Sequence, residues 1–434
     1  MRGATQAVTI ALLLMLARTA SAADLRVNPS QIADHQIADQ WSVSGDGFFR
    51  QSRFEEAADA YARAIKIDSR NVVAHMGMGK LASLLSDHAS EAQHLSAAYQ
   101  IAPLNPDVIL AYAGVVEDRA ARMILLRNFL TLAVRSSTFG DRIEDVKARL
   151  RIEEQLGSRV LSKLESVYQP IRIPLASLPT GGFVLQAYLN SGRELRLIVD
   201  TGATGIVLNA SAACDLQLEY LAPAALVGFG GKAPAAARVA LAANLRVGTF
   251  QMSNVLVNVG SAELVREADG VVGLDVFKDY LIQLDARSRH LQLTPFPASA
   301  SSTECTGCVR ANRLGHLLLV RGSVNGTREG YFILDTGSPK TIVSKTLMPA
   351  STHMQMALGI QGAQPIALPT MPVSLRVGTQ HILDFETAAI DTAEISAHNG
   401  TEIAGAIGYS VLRDLNLMVD YQHGFVKLGK SGGR

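Results

Sequence analysis

The sequence predicts a multidomain protein in which an all-α helical repeat precedes an all-β region built from two copies of one unit. The N-terminal third has helical apolar periodicity and a repeat, in which Gly45 and Gly79 lie 34 residues apart. Near Gln169 the composition changes to Pro, Gly and short β-type runs. Two Asp-Thr-Gly motifs, beginning at Asp200 and Asp335, then lie 135 residues apart. Together these observations predict helices followed by a duplicated β unit.

Composition predicts a globular protein with no strong charge preference. The 434 residues are long enough for about three domains. Hydrophobic residues make up 48% of the chain and charged residues 18%, which excludes a disordered chain or a coiled coil. A net charge of +1 gives no electrostatic reason to expect nucleic acid or an anionic membrane surface as a partner.

Residues 1–22 have the pattern of a secretory signal peptide. Arg2 provides a positive start, Ala7 to Ala17 form an apolar run, and Ala20-Ser21-Ala22 is a small-residue cleavage site. An uncleaved anchor is the alternative, but the run is shorter than the roughly 20 residues that span a bilayer. We expect cleavage after Ala22, no membrane span after it, and a periplasmic or secreted protein.

Residues 38–168 are predicted to form the helical domain. Its first unit resembles a tetratricopeptide repeat, in which small residues let two helices approach and larger ones fill the space between them. The matching residues are Trp41, Gly45, Phe48, Ala57, Tyr61 and Ala64. The second unit fits less well, so an unrelated helical bundle with coincidental spacing remains the alternative.

The β region divides into a first lobe at 170–296, a linker at 297–309 and a second lobe at 310–430. The linker is rich in Pro and Ser. The runs predicted to be strands are GFVLQAYL, LRLIVD, IVLNA, NVLVNVG, YLIQLD and HLQLT in the first lobe, and HLLLVRGSVN, YFILD, TIVS, VSLRVG, LNLMVDY and FVKLG in the second.

The three cysteines do not form a disulfide framework. Cys305 and Cys308 are close enough in sequence to close a small loop in an oxidising compartment, and Cys214 has no such neighbour. Two cysteines without partner ligands make a poor zinc site, and their Ser-rich surroundings do not suit a redox motif. A structural disulfide is the favoured interpretation.

Each β lobe carries two motifs in the same order. The first is a strand ending in Asp-Thr-Gly, and the second is an apolar pair followed by Gly, at Val271-Val272-Gly273 and Ala406-Ile407-Gly408. In this respect the sequence resembles the aspartic protease family, more narrowly its bacterial retropepsin-like group, over roughly residues 172 to 430. The resemblance implies duplicated retropepsin-like acid protease lobes, with one catalytic aspartate from each lobe.

Asp200 and Asp335 are therefore the predicted catalytic pair. Two carboxylates about 3 Å apart cannot both ionise, so they share a proton, and one acts as base while the other acts as acid. This chemistry requires no metal or cofactor, and the sequence has no HExxH motif and only scattered histidines.

Five neighbouring residues are predicted to support the pair. Gly202 and Gly337 permit the tight turn that presents each carboxylate. The resemblance implies that the hydroxyls of Thr201 and Thr336 bond across to the opposite lobe. The fifth is Ser338.

Ser338 suggests that the two aspartates differ. Its hydroxyl is a candidate donor to Asp335, whereas Ala203 offers Asp200 no such bond. Because hydrogen bonding favours the charged carboxylate, our hypothesis is that Asp335 carries the charge and Asp200 the proton.

A substrate-covering flap is predicted around Phe229, Gly230 and Gly231, where glycines allow movement and the ring can cover a peptide. An ordinary Gly-rich hairpin is the alternative. The counterpart in the second lobe is Leu358–Gly362. The flap tyrosine of pepsin is absent from both segments.

The leading hypothesis is an aspartic endopeptidase acting on a protein or peptide substrate, with the helical repeat recruiting that substrate or another protein partner. One alternative is an inactive peptide-binding module that retains the cleft. Another is an assembly protein whose main activity lies in the helical repeat. The sequence leaves open whether the lobes pair within one chain or between two, and so whether the protein is a monomer or a homodimer.

Overall fold

The structure, a computed structural model, describes most of the chain after residue 28. The ranges are 29–134, 139–166, 169–190, 192–228, 234–260, 264–296, 305–327, 329–348, 353–359, 362–383 and 385–430. The predicted signal peptide lies outside the described residues, as does most of the linker. No helix in the described ranges is both long and apolar enough to cross a membrane.

The N-terminal region is helical, as predicted. Its helices are α1 Pro29–Arg50, α2 Phe54–Ile67, α3 Val72–Leu84, α4 His88–Ile101, α5 Pro106–Val115, α6 Arg119–Ala133 and α7 Gly140–Leu156. Side-chain caps begin several of them: Asn71 accepts a hydrogen bond from the Ala74 N–H, and Asp118 one from the Ala121 N–H.

The first helices pack around Tyr61, which is 1% exposed. A Cβ at Gly45 would lie 2.5 Å from the Tyr61 ring, and one at Gly77 would also overlap it. Ala57 and Ala64 on the same helix are fully buried. Small residues therefore let α1, α2 and α3 approach closely around one large side chain.

The first lobe forms a nine-stranded sheet from its described residues, in the order β1-β9-β6-β10-β5-β4-β8-β7 with β3 beside β4. The lobe includes a short helix, α8 Ala210–Ala213, and a 3₁₀ turn, Leu274–Phe277. Its strands are β1 Lys163–Leu164, β2 Ile171–Pro174, β3 Ala176–Ser177, β4 Phe183–Leu189, β5 Leu195–Asp200, β6 Ile206–Leu208, β7 Glu219–Leu226, β8 Ala235–Val247, β9 Phe250–Gly260, β10 Gly270–Gly273, β11 Tyr280–Asp285 and β12 His290–Pro295.

The second lobe has a ten-stranded sheet in the described residues, in the order β18-β19-β22-β17-β23-β16-β15-β20-β21 with β14 beside β15. It also contains α9 Ala393–Asn399, α10 Tyr409–Leu412 and a 3₁₀ turn, Lys345–Leu347. Its strands are β13 Val309–Arg310, β14 Asn312–Leu314, β15 Leu317–Val324, β16 Gly330–Leu334, β17 Thr341–Ser344, β18 Met354–Gly359, β19 Gly362–Ala367, β20 Ser374–Val377, β21 Gln380–Leu383, β22 Thr387–Ile390, β23 Gly405–Ile407, β24 Leu415–Asp420 and β25 Phe425–Lys430.

A third sheet joins the two lobes. It has six strands among the described residues, in the order β13-β25-β24-β11-β12-β2. The junction is the antiparallel pair of β11 and β24, in which Ile282 lies opposite Val419 and Leu284 opposite Leu417. All four side chains are almost fully buried. The lobes therefore pair within one chain through a continuous hydrogen-bonded sheet.

The helical region contacts both lobes. On the second lobe, the Phe54 and Tyr331 rings lie 5.0 Å apart, and the Ser52 hydroxyl donates to the Glu402 carbonyl at 2.6 Å. On the first lobe, Leu156 is buried against Leu221 and Leu241. The helices thus brace the lobes from two sides.

Two features of the linking segments add to the sequence analysis. Strand β1, Lys163–Leu164, lies within the range assigned to the helical domain but pairs with β9 of the first lobe. The chain therefore enters the sheet before the change in composition near Gln169. Cys305 and Cys308 form a disulfide, with their Cα atoms 5.3 Å apart.

Candidate active site

Two parallel strand pairs position the aspartates. In the first lobe β5 runs parallel to β10, which places Asp200 opposite Gly273. In the second lobe β16 runs parallel to β23, and the Asp335 N–H donates to the Ile407 carbonyl at 3.0 Å. The Asp-Thr-Gly strand of each lobe is thus held by the strand containing the apolar-apolar-Gly motif.

The glycines of those motifs allow the segments just after each Asp-Thr-Gly motif to pass close by. A Cβ at Gly273 would lie 2.5 Å from the Ala203 carbonyl oxygen, and one at Gly408 would overlap the Lys340 carbonyl. Real Cβ atoms do not tolerate such contacts, so glycine is required for the close approach at both positions.

Thr201 and Thr336 join the two loops through four buried hydrogen bonds. The Thr201 N–H donates to the Thr336 hydroxyl at 3.0 Å, and the Thr336 N–H donates to the Thr201 hydroxyl at the same distance. Each hydroxyl also donates 2.7 Å across to the opposite lobe, Thr201 to the Leu334 carbonyl and Thr336 to the Val199 carbonyl. Both side chains are fully buried. This is the cross-lobe bonding that the resemblance implied for these residues.

The reciprocal hydrogen bonds of Thr201 and Thr336 hold the two carboxylates close together. A Cβ at Gly202 would lie 3.1 Å from Asp335 Oδ1 and 3.2 Å from Asp200 Oδ1, so both carboxylates meet over this glycine. The Gly202 N–H donates to Asp200 Oδ1 at 2.7 Å, and the Gly337 N–H donates to Asp335 Oδ1 at 3.1 Å. The carboxylates also hydrogen-bond to each other, which requires a shared proton.

Burial raises the pKa of both aspartates. Burial raises the pKa of Asp335 well above the ordinary aspartate value, and the negative charge of Asp200 raises it further. Burial also raises the pKa of Asp200, but the Gly202 N–H, the bond to Asp335, the Gly337 N–H and the charge of His316 oppose this effect. Both carboxyl groups therefore have a raised pKa, and they titrate as a pair that shares one proton.

The hydrogen bonds of Ser338 overturn the premise of the hypothesis that its hydroxyl donates to Asp335. The Ser338 hydroxyl donates to the Lys340 carbonyl at 2.8 Å, and its backbone N–H is the group that donates to Asp335, at 3.0 Å. A backbone donor does not depend on the side chain, so the contrast between Ser338 and Ala203 does not determine which aspartate is charged.

Asp275 and Ser410 hydrogen-bond to the segments that follow the two Asp-Thr-Gly motifs, and the sequence analysis missed both. Asp275 accepts the Thr204 hydroxyl at 2.8 Å and the Gly205 N–H at 2.9 Å. Ser410 accepts the Thr341 N–H at 3.1 Å. Each lies two residues after its motif glycine and 135 residues from the other, so the repeat spacing was the signal that could have found them.

The sequence analysis also missed His316, which has no counterpart in the first lobe. It lies in the turn between β14 and β15, and its Nε2 is 3.1 Å from the Gly202 carbonyl oxygen. The residue 135 positions earlier is Gly181. No motif surrounds His316, and only tertiary structure brings it to the Asp200 loop.

The predicted flap residues Phe229, Gly230 and Gly231 lie outside the described residues. The strands on either side, β7 and β8, pair antiparallel as far as Leu226 and Ala235. In the second lobe β18 and β19 pair from Met354 to Gly359, which places a hairpin at the predicted counterpart.

Comparison with known proteins agrees with this geometry. Residues 185–276, which include Asp200 and the first apolar-apolar-Gly motif, match the model of a family described as aspartyl protease. The match supports an aspartic protease family and protease activity in general. Among curated proteins no match to the chain is found.

Proposed function

We propose that this protein is an aspartic endopeptidase of the retropepsin-like type, with both lobes of a duplicated unit in one chain. The observation that carries the proposal is the meeting of the Asp200 and Asp335 carboxylates over Gly202. The reciprocal hydrogen bonds between Thr201 and Thr336 hold the two loops in this arrangement. Such a pair provides base and acid side by side without a metal.

The reaction begins with a water molecule attacking the peptide carbonyl carbon. Ionised Asp200 takes a proton from the water, and Asp335 donates its proton to the carbonyl oxygen, which gives a neutral diol. The C–N bond then breaks as a diol hydroxyl returns its proton and the leaving nitrogen accepts one. The products are a carboxylic acid and an amine.

We also propose that the helical region is tetratricopeptide-like and positions a protein substrate. Its packing against both lobes supports a fixed relation between this region and the cleft. The pairing of β11 with β24 supports a complete site in a monomer. Residues 1–22 support action outside the cytoplasm, periplasmic or secreted.

The test is cleavage of a mixed peptide library at about pH 4 to about pH 7 by the purified mature protein. Asp200→Asn and Asp335→Asn should each abolish cleavage while folding is retained. Equal cleavage by wild type and both variants would sink the proposal. Absence of cleavage by every form, with library peptides still bound, would favour the inactive binding module.

A further inference from the structure

A cavity of about 430 Å³ lies between the helical region and the second lobe. Its walls come from α1, α2 and α3 on one side, and from the β14–β15 turn and the end of α9 on the other. This volume is within the range of small-ligand sites. The cavity is separate from the aspartate pair, and none of the residues assigned to catalysis lines it.

The charge of the lining is positive. Arg50, Lys80 and Arg313 face the cavity, against one carboxylate, Asp46. The Tyr61 hydroxyl donates to that carboxylate at 2.6 Å. Arg50 donates to the Asp46 carbonyl and Arg313 to the Gly315 carbonyl, each at 3.2 Å, so among the described residues these two cations bond to neutral acceptors. The excess positive charge favours an anionic ligand.

The cavity and the aspartate pair lie on two sides of one hairpin turn. Arg313 and Gly315 line the cavity, while His316, the next residue, contacts the Gly202 carbonyl at 3.1 Å. The β14–β15 turn therefore connects the cavity to the loop that holds Asp200.

We propose that this cavity is a subsite for a peptide carboxylate on a substrate whose chain also reaches the aspartate pair. The carboxylate is either an acidic side chain or the C-terminus, because both offer the same planar anion to Arg and Lys. The proposal rests on the proposed endopeptidase function. It makes the helical region part of substrate selection, since Arg50 and Lys80 belong to its helices.

The test is direct binding, so it does not depend on cleavage. Fluorescein-labelled hexaglutamate with a free C-terminus is titrated by anisotropy into full-length Asp335→Asn protein at low and high salt. Lys80→Glu and Arg50→Glu, each added to that background, should weaken binding about tenfold or more. Lys66→Glu, a charge reversal on an exposed lysine of α2 outside the cavity, is the matched control and should have little effect.

Two further peptides separate the sources of the carboxylate. C-terminally amidated hexaglutamate carries side-chain carboxylates alone, and hexaglutamine with a free C-terminus carries a single terminal one. Tight binding of amidated hexaglutamate identifies a side-chain carboxylate as the bound group. Tight binding of hexaglutamine identifies the C-terminal carboxylate instead. Equal binding by the Lys80→Glu, Arg50→Glu and Lys66→Glu proteins would overturn the proposal, as would equal binding of amidated hexaglutamine. Cleavage of a short uncharged peptide by wild type, measured in parallel, reports on the endopeptidase function separately.

Discussion

The backbone N–H groups of Thr201 and Thr336 each donate to the other residue's hydroxyl at 3.0 Å, which closes a reciprocal bond between the two lobes. The aspartates immediately precede these threonines. Any movement of one lobe against the other at this point therefore displaces one carboxylate from the other.

The first prediction concerns the hydrogen bonds between Thr201 and Thr336. Thr201→Val retains the shape of the side chain but leaves the Thr336 N–H and the Leu334 carbonyl without their partner, as the contacts of Thr201 show. Each orphaned buried group costs about 1–3 kcal/mol, so we expect the free energy of unfolding to fall by at least that amount. Urea unfolding measures it. Thr201→Ser, which retains the hydroxyl, is the control, and an equal loss from both substitutions would contradict the role of the hydroxyl.

The second prediction concerns stability against pH. The folded-state pKa of Asp335 is raised, so its protonated form contributes stability that is complete below the ordinary aspartate pKa and is lost as pH rises through the raised value. Asp335→Asn removes this dependence. The melting temperature of the variant relative to wild type should therefore be higher at about pH 8 than at about pH 4.

Asp269→Asn is the control, because its effect on stability should depend on pH in the opposite direction. Burial raises the pKa of Asp269, but Arg193 and the Arg196 N–H outweigh it and lower the net value. That carboxylate stabilises the fold above its ordinary pKa, and the contribution is lost as pH falls through the lowered value. Its substitution should therefore cost most at neutral pH. If the melting temperatures of the two variants, each relative to wild type, changed with pH in the same direction, the predicted pH dependence for Asp335 would be refuted.

A third prediction concerns His316. Protonated His316 lowers the pKa of Asp200 against the larger effect of burial. His316→Asn keeps a donor for the Gly202 carbonyl but removes the charge, so the acidic limb of the activity profile should move to higher pH. Rates of peptide cleavage across pH measure it. His35→Asn, in α1 and paired with Asp68, is the control and should leave the limb in place.

The fourth prediction concerns Gly337. A Cβ at this position would overlap the Asp200 carboxylate. Gly337→Ala should therefore displace the pair and reduce the cleavage rate by about a hundredfold or more, because misplacement by about 1 Å costs that much. Gly114→Ala is the control, since no described atom lies within 4 Å of a Cβ there. Full activity of Gly337→Ala would contradict the close contact.

Local patterns were sufficient to find the elements that carry the site. Alternating apolar residues in LRLIVD and YFILD placed β5 and β16, because a strand with a buried face has a period of two. The 135-residue spacing identified the two aspartates as equivalent. It also carried information about Asp275 and Ser410, which were overlooked because neither stands inside a motif.

Side-chain partners were harder to predict. Ser338 stood beside Asp335 in sequence, but its hydroxyl turns to the Lys340 carbonyl. His316 is 114 residues from Gly202 and contacts it across the lobes. A hydroxyl has several acceptors within reach, and only packing selects one.

The sequence by itself determined that the chain has helices followed by β lobes with two Asp-Thr-Gly loops, because periodicity and motif spacing are local properties. Tertiary structure decided that the lobes share one sheet through β11 and β24, and that the Ser338 hydroxyl bonds to the Lys340 carbonyl rather than to Asp335. It also placed Arg50, Lys80 and Arg313 around one cavity. These features depend on burial and on the field of distant charges, which arise only when remote segments pack together.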